Sequence, residues 1–405
     1  MAPRHRAGMT RAALLTRRAA TLLLGAAGVG ALAGLSTRSA KTTPADPIAR
    51  SRLAAGDPWR LRRAFAKARR GEPITLGVIG GSITCGAIAS SPDRSYVASV
   101  LAWWRASFPQ CETRLVNAGL GGTGSLLGAF RVQRDLLQAE PDVVIVEFAV
   151  NDAWVDGAAY EGLLRQILAC PNAPAVVLLF MMYQNGGGDQ DMQSKVGAHY
   201  NLPMVSVRDA LWPDIAAGRI RWQDYFVDIV HPNDAGHAFA ARCVTALLQT
   251  TGTAEAPYGR DPLDPLPAPL HSDAYQFVEW RQDATLTPAR NDGWTPARDD
   301  NEKLVWAATS ASGRVAFDWF GTGIVALLAR PPDDRGRVRF WIDDVPSLTL
   351  DASAVIKRNI VVVAEGLARG QHRIAIERVD PPTGAGEENV RFGLAGLGAI
   401  GVRPG

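Results

Sequence analysis

Val78-Ile-Gly-Gly-Ser-Ile-Thr-Cys85 is the stretch that decides how this chain is read. The apolar run from Ile74 to Ile79 predicts a buried strand, and Gly80 and Gly81 end it. Glycine takes backbone angles that side chains forbid, so the chain can turn sharply there. Ser82 then stands exposed where the strand ends, which suits a nucleophile at the edge of a sheet. The same residues also suit an ordinary strand-to-helix turn with a capping serine.

Beyond this turn, apolar runs alternate with helical patterns. Strands are expected at Thr113–Asn117, Asp142–Phe148, Ala175–Met181 and Pro203–Val207. Helical spacing predicts helices at Trp59–Arg70, Ser95–Phe108, Ser125 to about Ala139, Tyr160–Cys170, Met192–His199, Asp209–Ala217 and Ala235–Gln249. The strands are continuously apolar, as in a parallel sheet covered on both faces. Ligands of such sheets bind beyond the C-terminal strand ends. Ser82, the glycine-rich run Asn117–Ser125 and Asn151-Asp152 all follow strands at that edge.

The chain has 405 residues, 47% of them hydrophobic, with a net charge of +3. That length allows two domains, and nothing in the charge pattern suggests a nucleic-acid surface. Residues 1–40 read as a twin-arginine-type export signal: Arg17-Arg18 lies directly before an apolar run from Ala19 to Leu35. The expected location is extracytoplasmic, with no stable membrane insertion after cleavage. Residues 41–58 read as a tether, 59–250 as the α/β domain and 251–274 as a Pro-rich linker. Over 275–405 the period changes to short strands, expected at Arg314–Phe320, Ile324–Ala329, Arg337–Ile342, Asn359–Ala364, His372–Ile376 and Val390–Leu397. These predict a smaller all-β sandwich, jelly-roll-like in character. The four cysteines form no CxxC pair, which argues against a zinc site, and Cys85 is expected to pack beneath the serine turn.

Acyl transfer needs a nucleophile, a base, an orienter for the base and donors for the oxyanion. Asp228-Ile-Val-His231 supplies a base and an acid that can fix its tautomer, in a polar loop before the closing helix. His199, His271 and His372 have no acid at matching spacing, and His237 falls on the closing helix.

At these residues the chain resembles the SGNH (GDSL-like) hydrolases, over roughly residues 72 to 250. GGSIT resembles the serine block with Ser82 as nucleophile. Asn117-Ala-Gly-Leu-Gly-Gly122 resembles the glycine block, with Gly122, or else Gly121, as an oxyanion donor. Val150-Asn151-Asp152 resembles the asparagine block with Asn151 as a second donor, and Asp228 with His231 the acid and base. The resemblance implies a three-layer, flavodoxin-like parallel sheet and a serine esterase with a Ser-His-Asp triad and no cofactor or metal. GGSIT is a variant associated with esterases of carbohydrate O-acyl groups, so a short acyl ester, O-acetyl on a glycan, is the expected substrate. Two departures stand out: Gly81 replaces the usual acid before the serine, and Val150 a common glycine.

Other readings compete. An acyltransferase or a lipase/lysophospholipase would share the fold, although no apolar lid helix is present to favour long lipids. Gly119-Leu-Gly121-Gly-Thr-Gly124 is GxGxxG, and Glu147 lies near the end of the next strand, the pattern of an NAD(P)-binding oxidoreductase. That reading leaves Ser82, Asn151 and the DxxH unexplained. A non-catalytic glycan-binding module would leave the whole polar set without a purpose. Trp154, Tyr183 and Trp222 lie on loops that can border Ser82, suited to sugar stacking or to packing. Oligomeric state is left open.

Overall fold

The computed structural model describes residues 46–152, 157–252, 264–298, 304–308, 313–329, 337–351, 360–380 and 393–403. The expected export signal and Trp154 lie outside the described residues. Among those described, no helix is long and apolar enough to cross a membrane.

The chain begins with helix α1 (Pro47–Ser51) and strand β1 (Arg52–Ala54), followed by α2 (Trp59–Arg69) and β2 (Ile74–Gly80). A single helical turn, α3 (Ser82–Cys85), leads to α4 (Tyr96–Ser107), β3 (Thr113–Gly119), α5 (Ser125–Asp135) and β4 (Val143–Glu147). Then come α6 (Gly157–Leu168), β5 (Ala175–Phe180), α7 (Gln190–His199), β6 (Met204–Ser206), α8 (Val207–Ala216) and α9 (Asp234–Gly252). The sheet order is β1-β6-β5-β4-β2-β3, parallel except for β1.

Side chains of a strand alternate between faces. Val143, Ile145, Val177 and Leu179 point to one core with α2, α4, α8 and α9. Val144, Val146, Val176, Leu178 and Phe180 point to the other with α5, α6 and α7. Both faces are dry, which is why these strands read as unbroken apolar runs. The expected three-layer parallel fold is present.

Two boundaries differ from expectation. The tether predicted at 41–58 is folded from residue 46 onward. Its β1 pairs antiparallel with the edge of β6, and Arg50 pairs with Asp214 of α8. The stretch has no apolar period because much of what holds it is polar and distant in sequence: the β6 edge, the Arg50–Asp214 pair and the Arg50 bond to the Ala210 carbonyl. The expected linker is also fixed where it is described. The Glu161 carboxylate of α6 accepts the amides of Leu270, His271 and Ser272 at 2.6, 2.7 and 3.1 Å. Glu161 is fully buried, and a buried carboxylate requires such donors.

The C-terminal domain is two antiparallel sheets. One contains β7 (Val278–Gln282), β9 (Trp294–Arg298), β10 (Leu304–Ala308), β12 (Gly323–Ala329), β15 (Ile360–Ala364) and β17 (Gly393–Ile400). The other contains β8 (Arg290–Asp292), β11 (Arg314–Gly321), β13 (Arg337–Ile342), β14 (Val345–Asp351) and β16 (Gly370–Asp380). Phe317, Trp319, Phe340, Ile374 and Leu394 meet between them. All six expected strands are there. β7, β8, β9, β10 and β14 were not foreseen; β8 and most of β9 are exposed and polar, without the alternation that marks a strand.

This sandwich packs on the outer side of α5 and α6. Leu126, Phe130 and Ala159 meet Tyr275, Val325 and Ile400. A β-carbon at Gly398 would stand 2.5 Å from Phe130, so glycine there lets β17 approach the helix. Helix α5 is therefore buried on two sides, and Ser125 through Val132 are all inaccessible.

Candidate active site

Strand β2 lies between β3 and β4, so the chain leaves it first to one side and then to the other. This is the switch point where open α/β sheets bind ligands. Register places Gly80, Gly119 and Glu147 side by side at the strand ends. The serine turn, the glycine loop and the asparagine turn thus start from one line.

Ser82 opens α3, and Oγ lies 2.8 Å from His231 Nε2. His231 Nδ1 lies 2.7 Å from Asp228 Oδ2. The other Asp228 oxygen accepts the amides of Val230 and His231 at 2.8 and 2.7 Å. Partial burial works against ionisation of Asp228. It is outweighed by the His231 amide, the imidazole and the Val230 amide, which hold the carboxyl at about 2. With Nδ1–H directed at a carboxylate, Nε2 is left as an acceptor for the serine proton.

The loop that carries this pair is itself braced. The Val227 amide donates to the His231 carbonyl at 2.9 Å, closing a tight turn. Trp222 Nε1 donates to the Asp228 carbonyl at 2.6 Å, and its ring stacks on Phe226 at 3.8 Å. The Gln184 amide donates to the Ile229 carbonyl at 2.8 Å, and Tyr183 Oη donates to the Val150 carbonyl at 2.5 Å. Trp222 is buried. Trp222 therefore acts as packing, not as an exposed stacking platform, while Tyr183 is half-buried with its hydroxyl tied to the Val150 turn.

Asn151 follows β4 and its side-chain amide makes no hydrogen bond among the described residues; its Oδ1 is buried and unpaired. Gly121 faces the serine, since a β-carbon on it would stand 3.8 Å from Ser82 Cβ. Gly122 has φ +72, a left-handed conformation that favours glycine, with open space around it. The five residues anticipated for the site, Ser82, Gly122, Asn151, Asp228 and His231, all belong to the loops at this sheet edge.

Behind the site lie buried acids. Asp152 Oδ1 accepts the Ser125 amide at 2.7 Å, and Oδ2 accepts Gln193 Nε2 at 2.8 Å. Glu147 is fully buried and its Oε2 accepts Thr84 Oγ1 at 3.3 Å. Burial raises Asp152 to about 7 and Glu147 to about 8. Glu147 is therefore turned into the core beneath α3, where it cannot receive a ribose. Two of the GxGxxG glycines, Gly119 and Gly124, have packing reasons instead. A β-carbon at Gly119 would collide with Cys85, and one at Gly124 would stand 2.6 Å from Asp152 Oδ1.

Two cysteine and histidine expectations change. Cys85 is exposed, not packed under the turn, because the one-turn α3 has no second layer over that face; all four cysteines are free thiols. His372 does have an acid partner, Asp343 at 2.7 Å, brought to it by the β13–β14 turn. Its Nε2 is occupied by the Ala368 carbonyl, which leaves no nitrogen for a nucleophile. Among the described residues, no group of three His, Cys, Asp or Glu is placed to hold a metal ion.

Residues 78–239 match the model of the GDSL-like Lipase/Acylhydrolase family. An acetylxylan esterase of Geobacillus stearothermophilus is 26% identical over 208 residues, covering 42% of this chain and 92% of that protein. A two-domain esterase active on acetylated mannans superposes with a TM-score of 0.79 at 28% identity, covering 88% of this chain and 99% of that one. The same two-domain esterase co-crystallised with mannopentaose gives 0.78. The chain is a carboxylic ester hydrolase with a GDSL-like match over residues 78–239.

In this ester hydrolase the likeness to the two-domain esterase extends through both domains, so the C-terminal sandwich is part of the shared architecture. Sequence reading missed one buried group beside the site. Arg131 interrupts the apolar face of α5 and is 2% exposed. A single arginine inside Leu126–Val132 was the available signal.

Proposed function

We propose that the chain is an exported acetylesterase that removes O-acetyl groups from a polysaccharide, with Ser82, His231 and Asp228 as its triad. One observation carries the reading: the unbroken relay from Ser82 Oγ to His231 at 2.8 Å and from His231 to Asp228 at 2.7 Å. His231 takes the Ser82 proton as Oγ attacks the ester carbonyl. The Ser82 and Gly122 amides, with Gly121 as the alternative to Gly122, join the Asn151 side chain in holding the oxyanion. His231 then returns the proton to the leaving sugar oxygen, and a water activated by the same ring releases acetate. Asp228, ionised at neutral pH, stabilises the imidazolium throughout.

Acetylated polymer as substrate is supported by the two-domain esterase active on acetylated mannans and by the acetylxylan esterase. Export is supported by the Arg17-Arg18 pair before the apolar run. The test is acetate release from acetylated mannan and xylan by wild type and Ser82→Ala, with nitrophenyl esters of increasing chain length alongside. Activity retained by Ser82→Ala, or a preference for acyl chains of about eight carbons or more, removes the reading.

A further inference from the structure

Helix α5 carries a cation that no step above uses. Arg131 Nη1 donates to the Ala118 carbonyl at 2.6 Å, and Nη2 donates to the Gly80 carbonyl at 3.1 Å. Gly80 is the last residue of β2, one position before Gly81-Ser82, and Ala118 stands one residue before the end of β3. The Gly80 carbonyl also accepts the Leu120 amide at 3.0 Å, which ties the glycine loop to the serine turn. The same helix begins at Ser125, whose amide is held by Asp152, the residue after Asn151. One buried helix thus grips the chain beside each of the oxyanion donors.

A buried guanidinium is costly, and its ion pair is modest. Asp135 lies 3.2 Å from Arg131 and is shared with Arg134 at 2.6 Å. An apolar side chain would complete the stripe without that cost. What only arginine offers here is a rigid planar fork able to bridge two carbonyls.

We propose that Arg131 is a positioning residue for the oxyanion hole: its fork sets the separation of the Ser82 turn and the Gly121–Gly122 loop. This rests on the reading of Ser82, the glycine loop and Asn151 given above. Displacement of a reacting group by 1 Å can cost on the order of 10²-fold in rate.

The test compares Arg131→Lys, Arg131→Met and the control Asp135→Asn, which removes the ion pair but keeps the fork. Measured are kcat and KM on nitrophenyl acetate, and the Ki of a small boronic acid that forms a tetrahedral adduct on the serine. Both Arg131 variants are expected to lose about 10²-fold in kcat with KM changed less than about threefold, and boronate Ki to weaken by a similar factor. Asp135→Asn should stay within about threefold of wild type, since the oxyanion donors do not depend on the ion pair. The pH–rate profile should keep its shape, because His231 sits on a different loop. Folded variants that keep wild-type kcat overturn the proposal, as does a fall in kcat with unchanged boronate affinity. Failure of both variants to fold also overturns it, since Arg131 then belongs to the fold rather than the site. If Ser82→Ala remains active, the site reading itself fails and the proposal falls with it; Ser82→Ala inactivity with unaffected Arg131 variants sinks only the proposal.

Discussion

Gly81 and Asn151 compete for one volume: a β-carbon on Gly81 would run into the Oδ1, Cγ and Nδ2 atoms of the Asn151 side chain. With Asn151 in this orientation there is no room for the acid usual before the serine in this family. Gly81→Ala and Gly81→Asp should displace the amide, and Asn151→Ala should remove it. Loss of one oxyanion donor typically costs about 10²–10³ in kcat. All three variants should fold and approach that loss. The double variant Gly81→Ala/Asn151→Ala should be no worse than Asn151→Ala alone, because both act through the same amide. Additive losses in steady-state kinetics would separate the two residues.

Buried acids give the fold a pH signature. Burial raises Glu147 to about 8 and Asp152 to about 7, whereas unfolded carboxylates titrate near 4. Between about pH 4 and pH 8 the folded chain binds more protons than the unfolded one, so stability falls as pH rises through that window. Asp228, held at about 2, acts in the opposite sense: its contribution is present above the unfolded value and is lost as pH falls toward 2. Thermal melts should therefore show Tm decreasing from about pH 5 to pH 8, and Glu147→Gln should flatten the slope. An equal slope in that variant would assign the effect elsewhere.

Trp222 supports the acid from behind through its bond to the Asp228 carbonyl. Trp222→Phe keeps a ring against Phe226 but removes the donor. One such hydrogen bond is worth about 1 kcal/mol. The expected result is a Tm a few degrees lower and kcat/KM reduced by up to about tenfold, since 1.4 kcal/mol is tenfold in rate. Denaturation and kinetics on the same sample check both parts.

Glu161 joins the segment before the sandwich to α6, through the amides of residues 270–272 and the Tyr200 hydroxyl at 2.5 Å. Those donors hold its carboxyl below the usual range despite the opposing effect of burial. Glu161→Leu leaves several polar groups unpaired, each worth about 1–3 kcal/mol. The domain should melt earlier, while the rate on nitrophenyl acetate at low temperature stays near wild type. A proportionate loss of rate would connect this segment to the serine.

Much of this was legible beforehand. Strands such as Val143–Glu147 are buried on both faces and announce themselves as apolar runs. The loops at their ends carry glycine, asparagine, serine and histidine where an interior element would not. Less legible were elements held by partners distant in sequence. Arg52–Ala54 is a strand only because β6 offers an open edge. Arg290–Asp292 is one only because β11 pairs with it. Neither has an apolar period of its own.

By itself, the sequence determined the alternation of strands and helices and the second β-domain, and it singled out Ser82, Asn151, Asp228 and His231 as candidates. Hydrophobic period and turn residues are local properties, and they survive in a linear reading. Only the tertiary structure decided that Trp222 braces rather than binds, that Glu147 faces Thr84 in the core, and that Arg131 clasps the ends of β2 and β3. These are questions of which way a side chain points and what it meets there. Strand register and helix packing set the answer across dozens of intervening residues.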